Sequence, residues 1–153
     1  MQVRECMSKD TIGFNPESSL GDVARVMVDH HCGEIPVVEH GNSGKLVGVV
    51  TDRDITCRTV ALGRNPLELT AKDCMSSPVV MVTTETALED CCRTLEQNQI
   101  RRVPVVDETG GCCGIVSLAD IARVGSEKIA CQVLQEASSP TSNASPVGGA
   151  GFR

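Results

Sequence analysis

The sequence predicts an α/β protein of the α+β type, in which two β-α-β-β-α units pack with pseudo-two-fold symmetry through their small sheets. Two observations support this prediction: three short stretches recur in the same order in the second half, and an amphipathic helical pattern recurs with them. The predicted strands have only four to six residues, so a sheet from one unit is too small to be stable alone. We therefore expect the units to bury a common aliphatic layer.

The recurring stretches set the register of the repeat. Two of them recur after 68 residues, and the third recurs after 66. The two-residue shortening falls between Val106 and Gly114, where a loop is expected between two strands. The matching stretches are ECM at 5–7 with DCM at 73–75, EIPVVEH at 34–40 with RVPVVDE at 102–108, and GVVTDRDI at 48–55 with GIVSLADI at 114–121.

Both units predict the same order of elements. A short turn carrying Cys-Met comes first, followed by an extended stretch, an amphipathic helix, two strands and a second helix. The amphipathic helix is predicted because apolar residues recur at the three- and four-residue spacing of one helix face. For the first and second units, the predicted ranges are 10–14 and 78–82 for the extended stretch, 19–32 and 86–99 for the helix, 35–39 and 103–107 for the next strand, 45–50 and 112–116 for the last strand, and Thr51 and Ser117 for the start of the second helix.

The domain boundaries follow from the repeat. Gly63 and the pair Asn65-Pro66 end the second helix of the first unit and turn the chain. A tail rich in Ser, Pro, Gly and Ala has almost nothing to bury, so we expect it to be disordered. The predicted divisions are repeat 1 at 1–62, a linker at 63–70, repeat 2 at 71–124, a C-terminal helix at 125–137 and the disordered tail at 138–153.

Composition and charge exclude several classes of function. The chain has 153 residues, a formal net charge of −6 and a pI near 5.0, so it lacks the basic surface that binds DNA or RNA. Phe14 and Phe152 are its only aromatic residues, and they provide no row of stacking platforms for a single strand. No apolar run approaches a membrane span, and the N-terminus lacks the apolar stretch of a signal peptide. We therefore expect a soluble, cytoplasmic protein that binds neither nucleic acid nor membrane.

The nine cysteines are expected to be mostly reduced and to act as small core hydrophobes. No two of them form a C-x-x-C pair, and adjacent thiols such as Cys91 and Cys92 have a poor geometry for chelation. The run His30-His31-Cys32 cannot converge on one ion without partners, so no metal site is predicted.

An alternative function remains open at this point, namely a cysteine-based redox or metal sensor on the same fold. Such a sensor requires at least one exposed thiol of low pKa. Cys6 and Cys32 are the candidates for it, because both lie at the ends of predicted elements.

Two matching strand exits are candidate functional sites. Thr51 and Ser117 each follow an apolar strand and precede a helix, with Asp54 or Asp120 three residues later. This spacing is common in helix caps, but the position also presents free N–H groups and the positive end of a helix dipole. A carboxylate there cannot bind phosphate, whereas it can accept from the two neighbouring hydroxyls of a ribose. The pattern therefore favours a nucleoside, and the arginines available for its phosphates are Arg53, Arg58, Arg101 and Arg102.

At these strand exits the sequence resembles tandem cystathionine-beta-synthase (CBS) domains. That family carries two copies of the pattern G-h-h-[ST]-x-x-[DN], where h is apolar, each preceded by an apolar-Pro-Val strand. Here the first copy is 48–54 after 35–37, and the second is 114–120 after 103–105. Because both copies occur in register over roughly residues 1–124, the resemblance implies a stand-alone CBS pair, also called a Bateman module.

The resemblance implies that clefts between the repeats bind an adenosine-containing ligand, such as AMP, ADP, ATP, NAD or S-adenosylmethionine. Asp54 and Asp120 would hold the ribose hydroxyls, and Thr51 and Ser117 would contact ribose or phosphate. The remaining implied contacts are Thr11, Ile35, Pro36, Val79, Val103 and Pro104 around the adenine and Arg53 and Arg102 at the phosphates.

The resemblance further implies a homodimer that acts through an unidentified protein target. No nucleophile–base pair stands out in the sequence, so we expect a non-catalytic regulatory or sensor module with no required cofactor. The two repeats differ at one informative place, where Gly33-Glu34 of the first becomes Arg101-Arg102 of the second. The two clefts therefore need not bind the same ligand.

Overall fold

The computed structural model describes residues 1–39 and 44–125, together with residues 128, 129, 131, 132 and 135. These last five residues are helical. The rest of the helix predicted over 125–137 and the whole tail predicted over 138–153 lie outside the described residues, apart from Gly125. Helices, antiparallel strands and one parallel strand pair occur together, which confirms the predicted α+β class.

The first half contains two helices and an antiparallel strand pair. Helix α1 (Leu20–Asp29) begins where the Ser19 hydroxyl accepts a hydrogen bond from the Asp22 N–H. Strands β1 (Glu34–Val38) and β2 (Leu46–Thr51) form the pair, and helix α2 (Asp52–Arg58) follows β2 directly. Short 3-10 turns cover Val3–Glu5, Val60–Leu62 and Pro66–Glu68.

The second half repeats this order and adds one short strand. Its elements are α3 (Ala71–Cys74), β3 (Val82–Thr83), α4 (Leu88–Asn98), β4 (Arg102–Val106), β5 (Cys112–Ser117) and α5 (Leu118–Val124). Strand β3 pairs parallel to β4, and β4 pairs antiparallel to β5.

The first extended stretch differs from the prediction. In place of a strand over 10–14, only Phe14 forms a bridge, with Val37. Its N–H donates to the Pro36 carbonyl at 3.0 Å, and its carbonyl accepts from the Val38 N–H at 2.8 Å. The chain then turns at Pro16, which has no N–H to continue the ladder. The stretch predicted over 78–82 is likewise reduced to β3.

Each half receives part of its core from the other half. Val3 is fully buried in the second core, while Ala71 and Cys74 are fully buried in the first. The first core comprises Leu20, Val23, Met27, Ile35, Val37, Val50, Ala71 and Cys74, and the second comprises Val3, Val82, Leu88, Cys91, Cys92, Leu95, Val103, Val105, Val116 and Ile121. The N-terminal segment (1–8) and its repeat counterpart (69–76) are therefore exchanged between the halves.

Backbone hydrogen bonds hold both exchanged segments in the same way. The N–H and carbonyl of Ser8 bond those of Ile115 at 2.9 and 3.0 Å. In the other half, Ser76 bonds Val49 in the same pattern at 2.8 and 3.2 Å. Because these pairs are related by the offsets of the sequence repeat, the two halves have a pseudo-two-fold relationship.

Two motif glycines allow the exchanged segments to approach the sheets. A Cβ on Gly48 would lie 2.5 Å from the Met75 sulfur. A Cβ on Gly114 would lie 2.9 Å from both the Met7 sulfur and the Ser8 carbonyl oxygen. Each Cys-Met turn of the repeat thus packs against the G-h-h-[ST] pattern of the other repeat.

The described part of the chain contains no helix that is both long and apolar enough to cross a bilayer. Its longest helix, α4, has 11 residues.

We predict that Gly114→Ala lowers the free energy of unfolding by about 1–3 kcal/mol, the usual cost of overpacking. Gly48→Ala is expected to cost less, because only the flexible Met75 side chain has to move there, whereas the Ser8 carbonyl at Gly114 belongs to a hydrogen-bonded backbone. Urea unfolding of both variants measures the difference.

Gly21→Ala in α1 is the control, since a Cβ at Gly21 meets Leu67 at an ordinary 3.4 Å. A Gly114→Ala variant as stable as this control would contradict the close packing at Ser8.

Candidate functional site

A cleft of about 510 Å³ lies between the two halves. We call it the Asp120 cleft. The exchanged N-terminal segment and the residues after it form one wall, the end of α1 and the start of β1 form a second, and the second repeat closes the third. The lining residues are Ser8, Lys9, Asp10, Thr11, Ile12, Val26, His30, His31, Cys32, Glu34, Ile35, Pro36, Arg102, Ile115, Ser117 and Asp120.

The Asp120 carboxylate is fixed at the start of α5. Its Oδ2 accepts from the Ser117 N–H at 2.9 Å, while the Asp120 N–H donates to the Ser117 hydroxyl at 3.1 Å. Its Oδ1 pairs with Arg123, whose side chain is 73% exposed. Asp120 itself is only 8% exposed, so a buried carboxylate with a solvent-exposed counter-ion borders the cleft.

The matching Asp54 has a different environment. It forms the same capping box with Thr51, with both hydrogen bonds at 3.0 Å. Its Oδ1, however, lies 3.5 Å from the guanidinium of Arg58. Arg58 also donates to the carbonyls of Cys74 and Met75 at 2.9 and 3.0 Å and to the Ser76 hydroxyl at 2.9 Å. Arg58, counted above among the phosphate candidates, is therefore engaged in holding an exchanged segment.

The structure places half of the predicted site residues around the Asp120 cleft. These are Thr11, Ile35, Pro36, Arg102, Ser117 and Asp120. The other six, Thr51, Arg53, Asp54, Val79, Val103 and Pro104, are not among its lining residues. Of these six, Val103 is fully buried in the second core, and Arg53 is exposed on α2.

The apolar lining of the Asp120 cleft suits a flat ring, since Ile12, Val26, Ile35 and Ile115 are among its residues. The polar groups of Ser8, Ser117 and Asp120 provide hydrogen-bonding partners beside this apolar surface. The cleft therefore combines apolar surface with groups that can form hydrogen bonds, and a small-molecule site needs both.

Glu34 is one of the lining residues that the sequence analysis did not predict as a site residue. It begins β1 and is 8% exposed, and its buried Oε1 has no hydrogen-bond partner among the described residues. Burial raises the pKa of the Glu34 carboxyl to about 7, with Arg102 opposing the rise and Asp54 adding to it. The repeat offset aligns Glu34 with Arg102, which was predicted as a site residue, so the same position in the first repeat could have been considered as well.

Arg102 enters the cleft next to a glycine. A Cβ on Gly33 would lie 3.3 Å from an Arg102 guanidinium nitrogen and 3.0 Å from an Asp52 carboxylate oxygen. The missing side chain at Gly33 therefore leaves room for Arg102 and Asp52 of opposite halves to approach the same point.

The two thiols proposed for a redox sensor do not have the environment that it requires. Cys6 and Cys32 are both partly buried, and burial raises the pKa of each thiol. A reactive thiol needs the opposite shift. Within the described residues, no group of three or more His, Cys, Asp or Glu side chains is placed to hold a metal ion.

Fold and cleft together define a tandem pair of CBS domains. The CBS domain family matches residues 3–58 and 71–127 of the chain. The chain therefore belongs to the CBS domain family.

Three curated relatives show how far the similarity extends. The CBS domain-containing protein YhcV of Bacillus subtilis is 38% identical over 78% of this chain and 82% of its own length. Hypoxic response protein 1 of Mycobacterium tuberculosis is 31% identical over 93% of this chain and 97% of its own length. An uncharacterized protein of Methanopyrus kandleri is 32% identical over 81% of this chain, which spans 62% of that protein.

Solved structures share the fold and carry different ligands. The CBS domain pair of protein MJ0100, in complex with 5′-methylthioadenosine and S-adenosyl-L-methionine, is 28% identical, with a TM-score of 0.70 over 81% of this chain and 94% of that one. CBSX2 in complex with AMP is 28% identical, with a TM-score of 0.69 over 87% and 98%. Hypoxic Response Protein I with two coordinated zinc ions is 29% identical, with a TM-score of 0.74 over 82% and 100%.

We predict that Cys57 and Cys131, the two exposed thiols among the described residues, react first with a thiol reagent in the native protein. Cys91 should react only on unfolding, since burial raises the pKa of its thiol to about 12. Labelling at pH 8 followed by peptide mass spectrometry identifies the order.

The Cys57→Ser, Cys131→Ser double variant should lose the fast phase. A fast phase that survives in this variant and labels Cys6 or Cys32 would revive the thiol-sensor alternative.

Proposed function

We propose that the protein is a non-catalytic sensor that binds an adenosine-containing nucleotide in the Asp120 cleft and signals to a protein partner. The candidate ligands are AMP, ADP, ATP, NAD and S-adenosylmethionine. The observation that carries this proposal is the buried Asp120 carboxylate, which borders a cleft formed by polar and apolar residues of both repeats.

The geometry of Asp120 supports a role in holding ribose. A ribose offers two neighbouring hydroxyl donors, and an ionised carboxylate is an acceptor with several lone-pair sites. Its cap bonds engage Oδ2, while its Oδ1 is held by an arginine that is largely in solvent. A ligand hydroxyl can therefore replace the arginine without breaking the cap of α5.

The apolar residues support a role in enclosing the base. Ile35 and Pro36 lie at the start of β1, and Thr11 lies on the chain between the exchanged segment and Phe14. Burying an adenine between such groups removes apolar surface from water, which favours binding. Arg102 is then the available cation for a phosphate or carboxylate of the ligand.

The relatives support the ligand class. AMP, 5′-methylthioadenosine and S-adenosylmethionine, which accompany the neighbouring structures, all contain adenosine. We extend this ligand class to the present chain.

We further propose that the protein forms a homodimer and is cytoplasmic. The exposed apolar residues Val60, Leu62 and Leu67, which are 62–76% exposed, support contacts with a second copy or a partner.

A second site around Asp54 is part of the same proposal. It would use Thr51 and Asp54 for the ribose, Val79 and Pro104 for the base and Arg53 for a phosphate. Val103, expected at the base as well, is fully buried and offers no surface to a ligand. Because Arg58 pairs with Asp54 and also bonds residues 74–76, we expect weaker binding there than in the Asp120 cleft.

We predict that AMP or S-adenosylmethionine at about one hundred times its Kd raises the Tm by about 5–10 °C, because binding stabilises only the folded state. Asp120→Asn should abolish most of this shift, since the amide keeps a cap acceptor but loses the charge that accepts two hydroxyls. Differential scanning fluorimetry measures the shift.

Asp54→Asn is the matched control and should retain most of the shift. Loss of the shift in Asp54→Asn alone would contradict the assignment of the principal site to Asp120, and no shift with any adenosine compound would overturn the proposed function.

A further inference from the structure

Glu34 has no structural task that accounts for its burial. Its side chain lies in the cleft wall, and one carboxylate oxygen is buried without a hydrogen-bond partner among the described residues. An unsatisfied buried acceptor is destabilising, and the groups that stay so in folded proteins call for an explanation. The pseudo-two-fold relationship does not explain the burial of Glu34, because the residue at the matching position, Arg102, is exposed.

The charges around Glu34 come from several elements. Arg102 on β4 lowers the pKa of the Glu34 carboxyl, and Asp54 on α2 raises it. The charge of Glu34 in turn raises the pKa of the Cys112 thiol on β5. No ion pair of Glu34 within 4.0 Å is found among the described residues. The other charged or titratable groups that line the same cleft are Lys9, Asp10, His30, His31, Cys32 and Asp120.

We propose that Glu34 is a specificity-determining residue of the Asp120 cleft, favouring an adenosine ligand with a cationic or hydrogen-donating substituent over one that ends in phosphate. A ligand ammonium or sulfonium group provides the positive charge or the donor that the buried oxygen lacks. A phosphate placed in the same cleft meets a carboxylate in a medium of low dielectric constant, where like charges repel strongly. This inference rests on the proposed function, because it concerns which ligand occupies that same site.

Protonation of Glu34 makes the selection depend on pH. With a pKa of about 7, the carboxyl is mostly neutral at pH 6 and mostly ionised at pH 8. A cationic ligand binds the ionised form better, so its affinity rises with pH; an anionic ligand binds the neutral form better, so its affinity falls. The ratio of the two affinities should therefore change through neutral pH.

Three adenosine probes of different charge test the inference. S-Adenosylmethionine carries a sulfonium, 5′-methylthioadenosine is uncharged, and AMP carries a phosphate. Calorimetric titration of the full-length protein gives the Kd of each at pH 6 and pH 8. Each Kd is then expressed relative to that of 5′-methylthioadenosine, which reports the adenosine part of the site.

In the native protein, the preference for S-adenosylmethionine over AMP should increase about tenfold from pH 6 to pH 8. Glu34→Gln keeps the size of the side chain and removes its charge. At pH 8 this variant should lose about 10- to 100-fold of the preference, the range expected for a charged hydrogen bond. Titration of the ligands themselves contributes equally to both proteins, so the comparison isolates Glu34.

Arg102→Gln is the matched variant of opposite charge and should shift the preference toward S-adenosylmethionine. A preference that is the same in the native protein and in Glu34→Gln at both pH values overturns the role of Glu34 while leaving the proposed function standing. Failure of all three probes to bind the native protein overturns the proposed function and the inference together. If Glu34→Gln does not fold, Glu34→Ala replaces it in the same comparison with the native protein at pH 6 and pH 8.

Discussion

The exchange of the two N-terminal segments is the constraint on which the rest of the structure depends. Val3 completes the second core, and Ala71 completes the first, so neither half has a whole core of its own. The paired hydrogen bonds of Ser8 with Ile115 and of Ser76 with Val49 hold both crossings. The exchange also creates the Asp120 cleft, because it places Ser8 on the second repeat and carries the chain through Thr11 to the first. The two repeats therefore form one folded unit, and the cleft lies between them.

The same residues serve the fold and the site at the strand exits. Asp120 and Ser117 close the first turn of α5 as any capping box does, and this cap fixes the carboxylate at the border of the cleft. Asp54 and Thr51 form the same cap on α2. The two carboxylates differ in what their arginine partners contact. Arg58 also bonds an exchanged segment, whereas the other printed hydrogen bond of Arg123 is to the Ala119 carbonyl of its own helix. The matching capping boxes predict equivalent sites. The contacts of Arg58 with residues 74–76 make the two sites different.

Local patterns in the sequence predicted much of the fold and part of the site. The apolar spacing around Leu20 and Leu88 predicted α1 and α4, and the duplicated strand exits predicted the family and the caps. The exchange could not be predicted, because hydrogen bonds between residues more than one hundred positions apart, such as Ser8 and Ile115, leave no local periodicity. The strand predicted before α1 is reduced to a single bridge at Phe14, because the chain turns at Pro16. Glu34 was missed because a charged residue at a strand start is ordinarily exposed, and its burial depends on both repeats.

The two repeats form one cooperative body, and the cleft depends on both of them. Native-state hydrogen exchange of the full chain tests it most directly, through the amides of Val49 and Ile115, which bond opposite exchanged segments. If the repeats unfold together, both amides open with the free energy of global unfolding, within about 1 kcal/mol of each other. Opening of Val49 at a free energy several kcal/mol lower, with residues 69–76 detaching alone, would contradict it.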